Sequence, residues 1–258
     1  MTSEVKTNRA GGVLTITIAR PDKKNALTNA MYGALADAID SAASDREIRV
    51  ILFQGEGDSF TAGNDIGEFA AQAAGSGPAE RHVFRFLDSL ARTSIPVIAA
   101  VQGKAVGVGT TMLLHCDYVI LTEDAQLITP FINLALVPEA ASSYLLPLRI
   151  GHARAFEMFA FGDPLPAATA LAWGIANRVV PNAELQSEAR RAAERIAAKP
   201  HGSMTAMKQL MRDVAKLASQ MDSERAIFTK RLESDEAREA FTAFAEKRQP
   251  DFTRIQLR

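Results

Sequence analysis

The feature that most constrains this chain is an alternation of short apolar strands with amphipathic helices along its first two thirds. Over 13–19, leucine and isoleucine alternate with threonine, and a period of two is typical of a strand with one buried face. Behind Thr28, a predicted N-cap, apolar side chains recur at helical spacing over 31–42. Strands are predicted over 13–19, 49–53, 96–101 and 118–121. Strands that alternate with helices predict an α/β protein with a largely parallel sheet or repeated ββα units.

The last third has a different pattern, because no strand is predicted after Ala183. Short helices with one apolar face need another surface to cover that face. We therefore predict a core over 1–195 and a helical region over 196–258, which either mediates self-association or covers the chain's own core. The predicted helices are alanine-rich and charged, and they cover 184–198, 204–218, 221–233 and 235–246.

The composition argues against several classes of protein. The 258 residues carry 29 Lys and Arg against 30 Asp and Glu, a net charge of −1, which argues against a basic groove for nucleic acid. The single cysteine, Cys116, excludes an intrachain disulfide and a cysteine-rich zinc site. The four histidines have no metal-ligand spacing, so no metal site is expected.

No targeting or membrane-spanning segment is expected. The first ten residues lack the apolar core of a signal peptide. The most apolar stretch, 95–101, is far shorter than the ~20 residues of a spanning helix. The final residues do not form a peroxisomal signal. The predicted location is therefore the cytoplasm, with no membrane partner.

Two glycine-containing turns follow predicted buried strands and precede predicted helices. The first, from Gly55 to Ile66, starts like the dinucleotide-binding motif G-x-G-x-x-G, but Phe60 replaces the third glycine, so we reject that interpretation. The second runs from Gln102 to Thr110. Each is either a tight structural turn or a place where backbone N–H groups meet negative charge. Together they match the two-donor arrangement of an oxyanion hole.

Glu139 follows Pro138, a residue that suits the first position of a helix. The sequence therefore predicts Glu139 in a first helical turn, among apolar and small residues. Two interpretations stay open. The carboxylate either complements the helix dipole, or it is a base in an apolar pocket, where loss of solvation raises its pKa toward neutral pH.

In this order, these segments resemble the enoyl-CoA hydratase/isomerase (crotonase) superfamily over roughly residues 11–252. The resemblance depends on several motifs in a fixed order, which makes it specific for the superfamily. The matching motifs cover Ile18–Leu27, Gly55–Ile66, Ile95–Gly107, Cys116–Asp117, Ala170–Pro181 and Glu239–Phe252.

The resemblance implies a crotonase-like spiral of ββα units, a C-terminal all-helical trimerisation region, and an acyl-coenzyme A thioester as the substrate. It implies a homotrimer or homohexamer, and no cofactor beyond the coenzyme A of the substrate itself. The shared chemistry of the family is an enolate whose oxygen is held by two backbone N–H groups. At the positions that we match to the family, these donors are Ala62 and Val108.

Within this family, the catalytic carboxylates separate the reactions. Hydratases use two glutamates, and the matching positions here hold Thr111 and Phe131. Hydration is therefore disfavoured, because neither side chain acts as an acid or base toward water. The segment from Pro138 to Tyr144 resembles the peroxisomal-type Δ3,Δ2-enoyl-CoA isomerases, in which a single glutamate, here Glu139, moves a proton.

The resemblance also implies a set of substrate-binding residues. Lys24 is either a contact to coenzyme A or a solvated lysine, and Lys247 is a candidate contact to the nucleotide bound by a neighbouring subunit. Asp65 either caps a helix or touches the substrate. Gly67 replaces a lysine that the family often has, which removes one expected phosphate contact. The predicted set is Lys24, Ala26, Gly63, Asn64, Asp65, Ile66, Gly107, Phe131, Leu134 and Lys247.

The predicted activity is the isomerisation of a 3-enoyl-CoA to a 2-enoyl-CoA. In this hypothesis Glu139 removes a proton from C2 and returns it at C4, while Phe131, Leu134 and Leu136 exclude water. The alternatives are a hydratase-like or other crotonase activity, such as a ring or epoxide isomerisation, and binding of acyl-CoA without catalysis.

Overall fold

The structure is a computed structural model that describes residues 2–73 and 75–255, so 256–258 of the predicted helical region lie outside it. The described residues form nine strands and eleven α-helices. The strands are β1 (Val5–Ala10), β2 (Val13–Ile18), β3 (Val50–Gly55), β4 (Val97–Val101), β5 (Lys104–Val106), β6 (Tyr118–Thr122), β7 (Gln126–Ile128), β8 (Leu165–Pro166) and β9 (Arg178–Val180). The helices are α1 (Asn29–Ser44), α2 (Ile66–Ala73), α3 (His82–Arg92), α4 (Val108–Thr111), α5 (Ser142–Ile150), α6 (His152–Phe161), α7 (Ala167–Ala172), α8 (Leu185–Ala197), α9 (His201–Leu210), α10 (Val214–Leu232) and α11 (Asp235–Ala245).

A six-stranded sheet in the order β1-β2-β3-β4-β6-β9 forms the centre of the molecule. β1 pairs antiparallel with β2, and the other neighbouring strands are parallel. Because β3 and β4 run in the same direction, the two glycine-containing turns that follow them leave the sheet at one edge. Ligands of parallel sheets bind at this carboxyl edge.

The central strands are buried on both faces, as β3 shows. Val50 and Leu52 pack with α8, whereas Ile51 and Phe53 belong to the larger core that includes α1 and α3. Phe53 meets Phe86 of α3 edge-on, with the ring centroids 6.4 Å apart. A strand covered on both sides reads as a continuous apolar run, which is how 50–53 reads in the sequence.

A smaller sheet in the order β5-β7-β8 supports the second turn. β5 pairs in parallel with β7 and leads directly to Gly107 and α4. The predicted helix over 107–115 is therefore α4 followed by a 3₁₀ segment, Met112–His115. Both pieces are fully buried, so this turn is held from below by the core.

The C-terminal helices pack on the chain's own core. α8 covers one sheet face, and Leu217 and Met221 of α10 join the core on the other face. A third apolar cluster combines Phe228, Leu232, Ala237 and Phe241 from α10 and α11 with Phe131 and Leu136. Covering of the chain's own core is thus observed for these helices, whereas self-association and the division at residue 195 stay predictions.

The structure differs from the sequence predictions at β1, at the helix predicted over 204–218 and at Pro138. β1 was not predicted; it is an edge strand with one neighbour and mostly exposed side chains. The helix predicted over 204–218 is two helices, because Asp213 starts α10 by accepting a hydrogen bond from the Lys216 amide at 2.9 Å. Pro138 does not start a helix, since α5 begins at Ser142.

The helices of the described ranges fall short of what a bilayer crossing requires. None of them combines sufficient length with sufficiently apolar character for a transmembrane span.

Candidate active site

A cavity of about 90 Å³ lies between α1, α2, α3 and α10. The exposed surface of its walls is mostly apolar. Apolar walls with few polar groups are typical of a small-molecule site. The apolar lining residues are Leu27, Phe69, Val83, Phe84, Leu87, Met221, Phe228 and Leu232. The polar and charged ones include Tyr32, Asn64, Asp65, Glu68, Glu139, Glu224 and Arg225.

The structure brings the two glycine-containing turns into contact. The Val106 amide donates to the Thr61 carbonyl at 3.0 Å, and Thr61 and Ala105 form a parallel bridge. Gly63 lies so close to the Val106 backbone that a Cβ atom at position 63 would be 2.7 Å from the Val106 oxygen. Its φ of 85° also favours glycine. Gly63 therefore allows the close approach of the two turns.

The backbone donors at these turns differ from those predicted. The Ala62 amide donates to the Lys24 carbonyl at 2.8 Å, so this N–H is occupied inside the protein and Ala62 is not the oxyanion donor. The amides of Asn64 and Val108 have no acceptor among the residues that the structure describes. The motif match placed the donor at Ala62, two residues before Asn64. The hydrogen-bond pattern of the structure distinguishes the occupied Ala62 amide from the free Asn64 amide.

Glu139 lies in the loop before α5 rather than in a first helical turn. The Thr111 hydroxyl donates to Glu139 Oε1 at 2.5 Å. Burial raises the pKa of Glu139 to about 8; the hydrogen bond from Thr111 opposes this rise, and the charge of Glu224 adds to it. The dipole interpretation therefore loses its structural basis, whereas a carboxyl group with a near-neutral pKa suits proton transfer.

Glu224 of α10 holds the segment that follows Glu139. Its carboxylate accepts from the Ala141 amide at 2.6 Å, from the Ser143 amide at 3.0 Å and from the Ser143 hydroxyl. It is buried, with 5% of the residue exposed. The sequence analysis missed Glu224, because nothing in a helical sequence shows which distant loop its side chain meets.

Tyr32 of α1 orients Asn64. Its hydroxyl donates to Asn64 Oδ1 at 2.6 Å. Burial, and then the charges of Glu139 and Glu68, hold the pKa of Tyr32 well above its ordinary value, so the hydroxyl keeps its proton. Tyr32 was predicted only as part of a helix, and it adds a hydrogen bond that fixes one of the two turns.

The other predicted binding residues fall into two groups. Asn64 and Asp65 line the cavity, while Gly63, Ile66 and Ala26 belong to the same turn or to the segment beside it. The Asp65 carboxylate is bound to Arg20 at 2.7 Å and caps α2 through the Gly67 amide, which agrees with the helix-cap interpretation. The Gly107 amide donates to the Ile128 carbonyl, so its role is structural at that atom.

The remaining predicted residues lie away from the cavity wall. Phe131 and Leu134 pack in the third apolar cluster together with Phe69 and Phe228, and the exclusion of water by them stays a prediction. Lys24 pairs with Asp58 at 2.7 Å on the surface, and Lys247 follows the end of α11. Their contacts to coenzyme A stay predictions.

Within 2–73 and 75–255, no cluster of three or more histidine, cysteine, aspartate or glutamate side chains is arranged to hold a metal ion.

Comparison with known proteins agrees with this fold. The sequence model of the family described as enoyl-CoA hydratase/isomerase matches residues 8–255. The chain is 33% identical over 249 residues to 1,2-epoxyphenylacetyl-CoA isomerase of Escherichia coli, covering 94% of this chain and 95% of that protein. It is 34% identical over 244 residues to enoyl-CoA delta isomerase 2 of Rattus norvegicus, covering 92% of this chain and 62% of that protein.

Solved structures show the same architecture. An enoyl-CoA hydratase/isomerase from Pseudoalteromonas atlantica superimposes with a TM-score of 0.92 at 39% identity, covering 97% of this chain and 100% of that one. The sheet, the two turns and the C-terminal helices thus form the crotonase fold that the resemblance implied. The chain belongs to the enoyl-CoA hydratase/isomerase family.

Proposed function

We propose that this protein is an acyl-CoA isomerase that moves the double bond of a 3-enoyl-CoA to the 2-position, with Glu139 as its single base. One observation carries the proposal. Four carboxylates line the described cavity, and three of them are held by backbone amides or a guanidinium. Glu139 alone accepts only from a hydroxyl group, that of Thr111, so it is the carboxylate free to exchange a proton.

The amides of Asn64 and Val108 supply the second requirement. A proton at C2 of a thioester is too weakly acidic for a carboxylate unless the negative charge that develops on the oxygen is stabilised. In the proposed mechanism the two N–H groups donate to that oxygen. Removing one such donor typically costs ~2.7–4 kcal/mol of transition-state stabilisation.

The proton transfer is balanced within one residue. Ionised Glu139 takes the C2 proton, and the electrons of that bond delocalise over the thioester oxygen and C4. Glu139 then returns the proton at C4, and the double bond moves to C2–C3 in conjugation with the thioester. None of these steps needs a metal or redox cofactor.

Hydration is the less favoured reaction on this scaffold. The positions matched to the two hydratase glutamates hold Thr111 and Phe131, and Thr111 is bound to Glu139. Phe131 is buried and packs on Phe159, with the ring centroids 6.2 Å apart. A second free carboxylate to activate water is therefore missing from the described cavity wall.

The test is an assay of the purified protein on matched 3-enoyl-CoA and 2-enoyl-CoA substrates of several chain lengths. The proposal expects isomerisation of the 3-enoyl thioester with little addition of water to the 2-enoyl thioester. Faster hydration than isomerisation would favour the hydratase alternative. Binding of coenzyme A thioesters without turnover would favour an acyl-CoA-binding role.

A further inference from the structure

The loop that carries Glu139 has an unfavourable backbone conformation. Ala140 and Ala141 both have positive φ, 62° and 53°, although neither is glycine. The left-handed region is unfavourable for a residue with a Cβ atom and persists only where surrounding contacts impose it. The position of Glu139 therefore depends on whatever holds the turn from Ala140 to Ser143.

Glu224 of α10 accepts hydrogen bonds from this turn. Its two carboxylate oxygens accept from the amides of Ala141 and Ser143 and from the Ser143 hydroxyl, which in turn accepts from Gln220 Nε2 at 2.9 Å. Glu224 and Gln220 are one turn apart on α10, and Glu224 lies 83 residues beyond Ala141 in sequence. These contacts connect the C-terminal helices with the loop of the proposed base.

His115 also forms a hydrogen bond with this turn. Its Nε2 atom lies 2.7 Å from the Ala140 carbonyl oxygen, and its other ring nitrogen has no partner in the described residues. Burial, followed by the charge of Arg212, lowers the pKa of His115 to about 3, so the ring is neutral. A neutral ring that donates from Nε2 satisfies the Ala140 oxygen. The turn is therefore held by both Glu224 and His115.

We propose that Glu224 is a positioning residue for Glu139: its hydrogen bonds to Ala141 and Ser143 impose the turn that places the Glu139 carboxylate in the cavity, which Glu224 also lines. The inference deepens the proposed function and rests on Glu139 as its base. Glu224 acts through the turn and is not assigned a contact with the reacting atoms.

Glu224 is the charged group that raises the pKa of Glu139 in addition to burial. Tyr32 from α1 is protonated, and Glu68 from α2 is bound to the Asn29 amide. Asp65 is paired with Arg20, and Arg225 of α10 stacks on Phe84 and faces Asp88 and Asp222. Arg81, which precedes α3, and neutral His115 beneath the turn complete the titratable groups that line the cavity or touch the turn.

Two substitutions separate position from charge. Glu224→Gln removes the charge and keeps an oxygen that accepts one of the amide hydrogen bonds. Glu224→Ala removes the charge and every hydrogen bond. Glu188→Gln is the matched control, because Glu188 is also buried, with 5% of the residue exposed, but pairs with Arg178 and Arg191 far from the cavity.

Two readouts are measured on the full chain. The first is kcat and KM for a 3-enoyl-CoA across pH. The second is a ¹³C titration of glutamate side chains by NMR, in which the Glu139 signal is the one that disappears in Glu139→Gln. The titration reports on Glu139 even if the protein lacks isomerase activity, so failure of this inference and failure of the proposed function are distinguishable.

The inference expects the Glu139 titration and the acidic limb of the rate profile to move to lower pH by roughly one unit in Glu224→Gln. Glu224→Ala is expected to lose roughly 10–100-fold in kcat with a much smaller change in KM, because a misplaced base slows the chemical step. Glu188→Gln is expected to show neither effect. If Glu224→Ala does not fold, Glu224→Gln decides the question.

An unchanged Glu139 titration in Glu224→Gln, together with kcat equal to that of Glu188→Gln, would overturn the inference. So would equal shifts in both variants, because they would show a general effect of removing a buried carboxylate. Loss of affinity with unchanged kcat in Glu224→Ala would assign the residue to substrate binding and would also contradict a positioning role.

Discussion

Glu139 combines two properties that a proton shuttle needs. Its carboxyl group is buried enough for the pKa to rise to about 8, and it remains free of backbone donors. The sequence left two interpretations open for it, a helix-dipole partner and a base, because Pro138 pointed to a helix start. The loop conformation at Ala140 and Ala141 removes the first, and this conformation is invisible in the sequence, since both residues are alanines.

The first prediction at this scale concerns pH. A base acts when it is ionised, and the ionised fraction of Glu139 increases as pH rises through its pKa. We therefore expect kcat/KM for a 3-enoyl-CoA to increase with pH, with a midpoint near the raised pKa of about 8. The pH profile of the free enzyme checks this, and a midpoint near 4.5, the ordinary value for glutamate, would contradict it.

The raised pKa of Glu139 also predicts how the stability of the folded chain depends on pH. Because the pKa of Glu139 is higher in the folded than in the unfolded chain, the folded state binds more protons between pH 4.5 and about 8. Stability from this group is fully present below pH 4.5 and is lost as pH rises through 8. Glu139→Gln cannot ionise and still accepts from Thr111. We expect it to be more stable than the parent above pH 8, on the order of 1 kcal/mol or more, with no gain below pH 4.5.

Denaturant unfolding at the two pH values measures this difference. Equal stabilities of the two proteins at high pH would show that Glu139 ionises without cost in the folded state, which would contradict its placement in an apolar environment.

At the scale of elements, the contact between the two turns makes the site. Parallel pairing of β3 with β4 places both turns at one sheet edge. The alternation of strands and helices in the sequence predicted a largely parallel sheet. The pairing of the turns themselves, and the identity of the free amides, depend on hydrogen bonds of about 3 Å between residues some forty positions apart. Motif spacing alone therefore assigned Ala62 where the structure leaves Asn64 available.

Gly63→Ala tests the contact between the turns. The added methyl group would lie 2.7 Å from the Val106 oxygen, so the turns must separate and the two free amides must move apart. We expect kcat to fall by roughly 10²-fold or more. Gly174→Ala is the control, because Gly174 has a similar φ of 83° but no atom within 4 Å of its added Cβ.

The measurement is kcat of both variants, with their melting temperatures. Backbone strain alone would lower stability in both variants and leave kcat of Gly174→Ala near that of the parent. Equal kcat in Gly63→Ala and Gly174→Ala would contradict the role assigned to the close approach of the turns.

For the whole molecule, the C-terminal helices complete the cavity of their own chain. Met221, Glu224 and Phe228 of α10 line it, whereas the sequence left open whether this region mediates self-association or covers the chain's own core. Amphipathic periodicity shows that a helix has an apolar face but not which surface covers it. The fold class, the core strands and Glu139 as a candidate were accessible from the sequence, whereas Glu224, Tyr32 and the free amides required the packing of distant segments.

The exposed apolar side chains of α5 and α6 bear on how the molecule assembles. Leu148, Phe156 and Phe161 on α5 and α6 are 70%, 62% and 62% exposed, which makes them candidates for a contact between subunits. Because the family resemblance implies trimers, we expect a homotrimer or homohexamer in solution, in which these residues are covered. Phe156→Asp is expected to reduce the mass measured by light scattering to that of a smaller species. A monomeric parent protein, or an unchanged assembly in the variant, would contradict this assignment.

The most direct test of the central claim compares the parent with Glu139→Gln on a 3-enoyl-CoA above pH 8, where the base is ionised. Gln keeps the hydrogen bond from Thr111 and the size of the side chain but cannot take up a proton. We expect the affinity for the thioester to persist and the rate of double-bond migration to fall by roughly 10²–10⁴-fold. A Glu139→Gln protein that retains near-parental isomerisation would contradict the account.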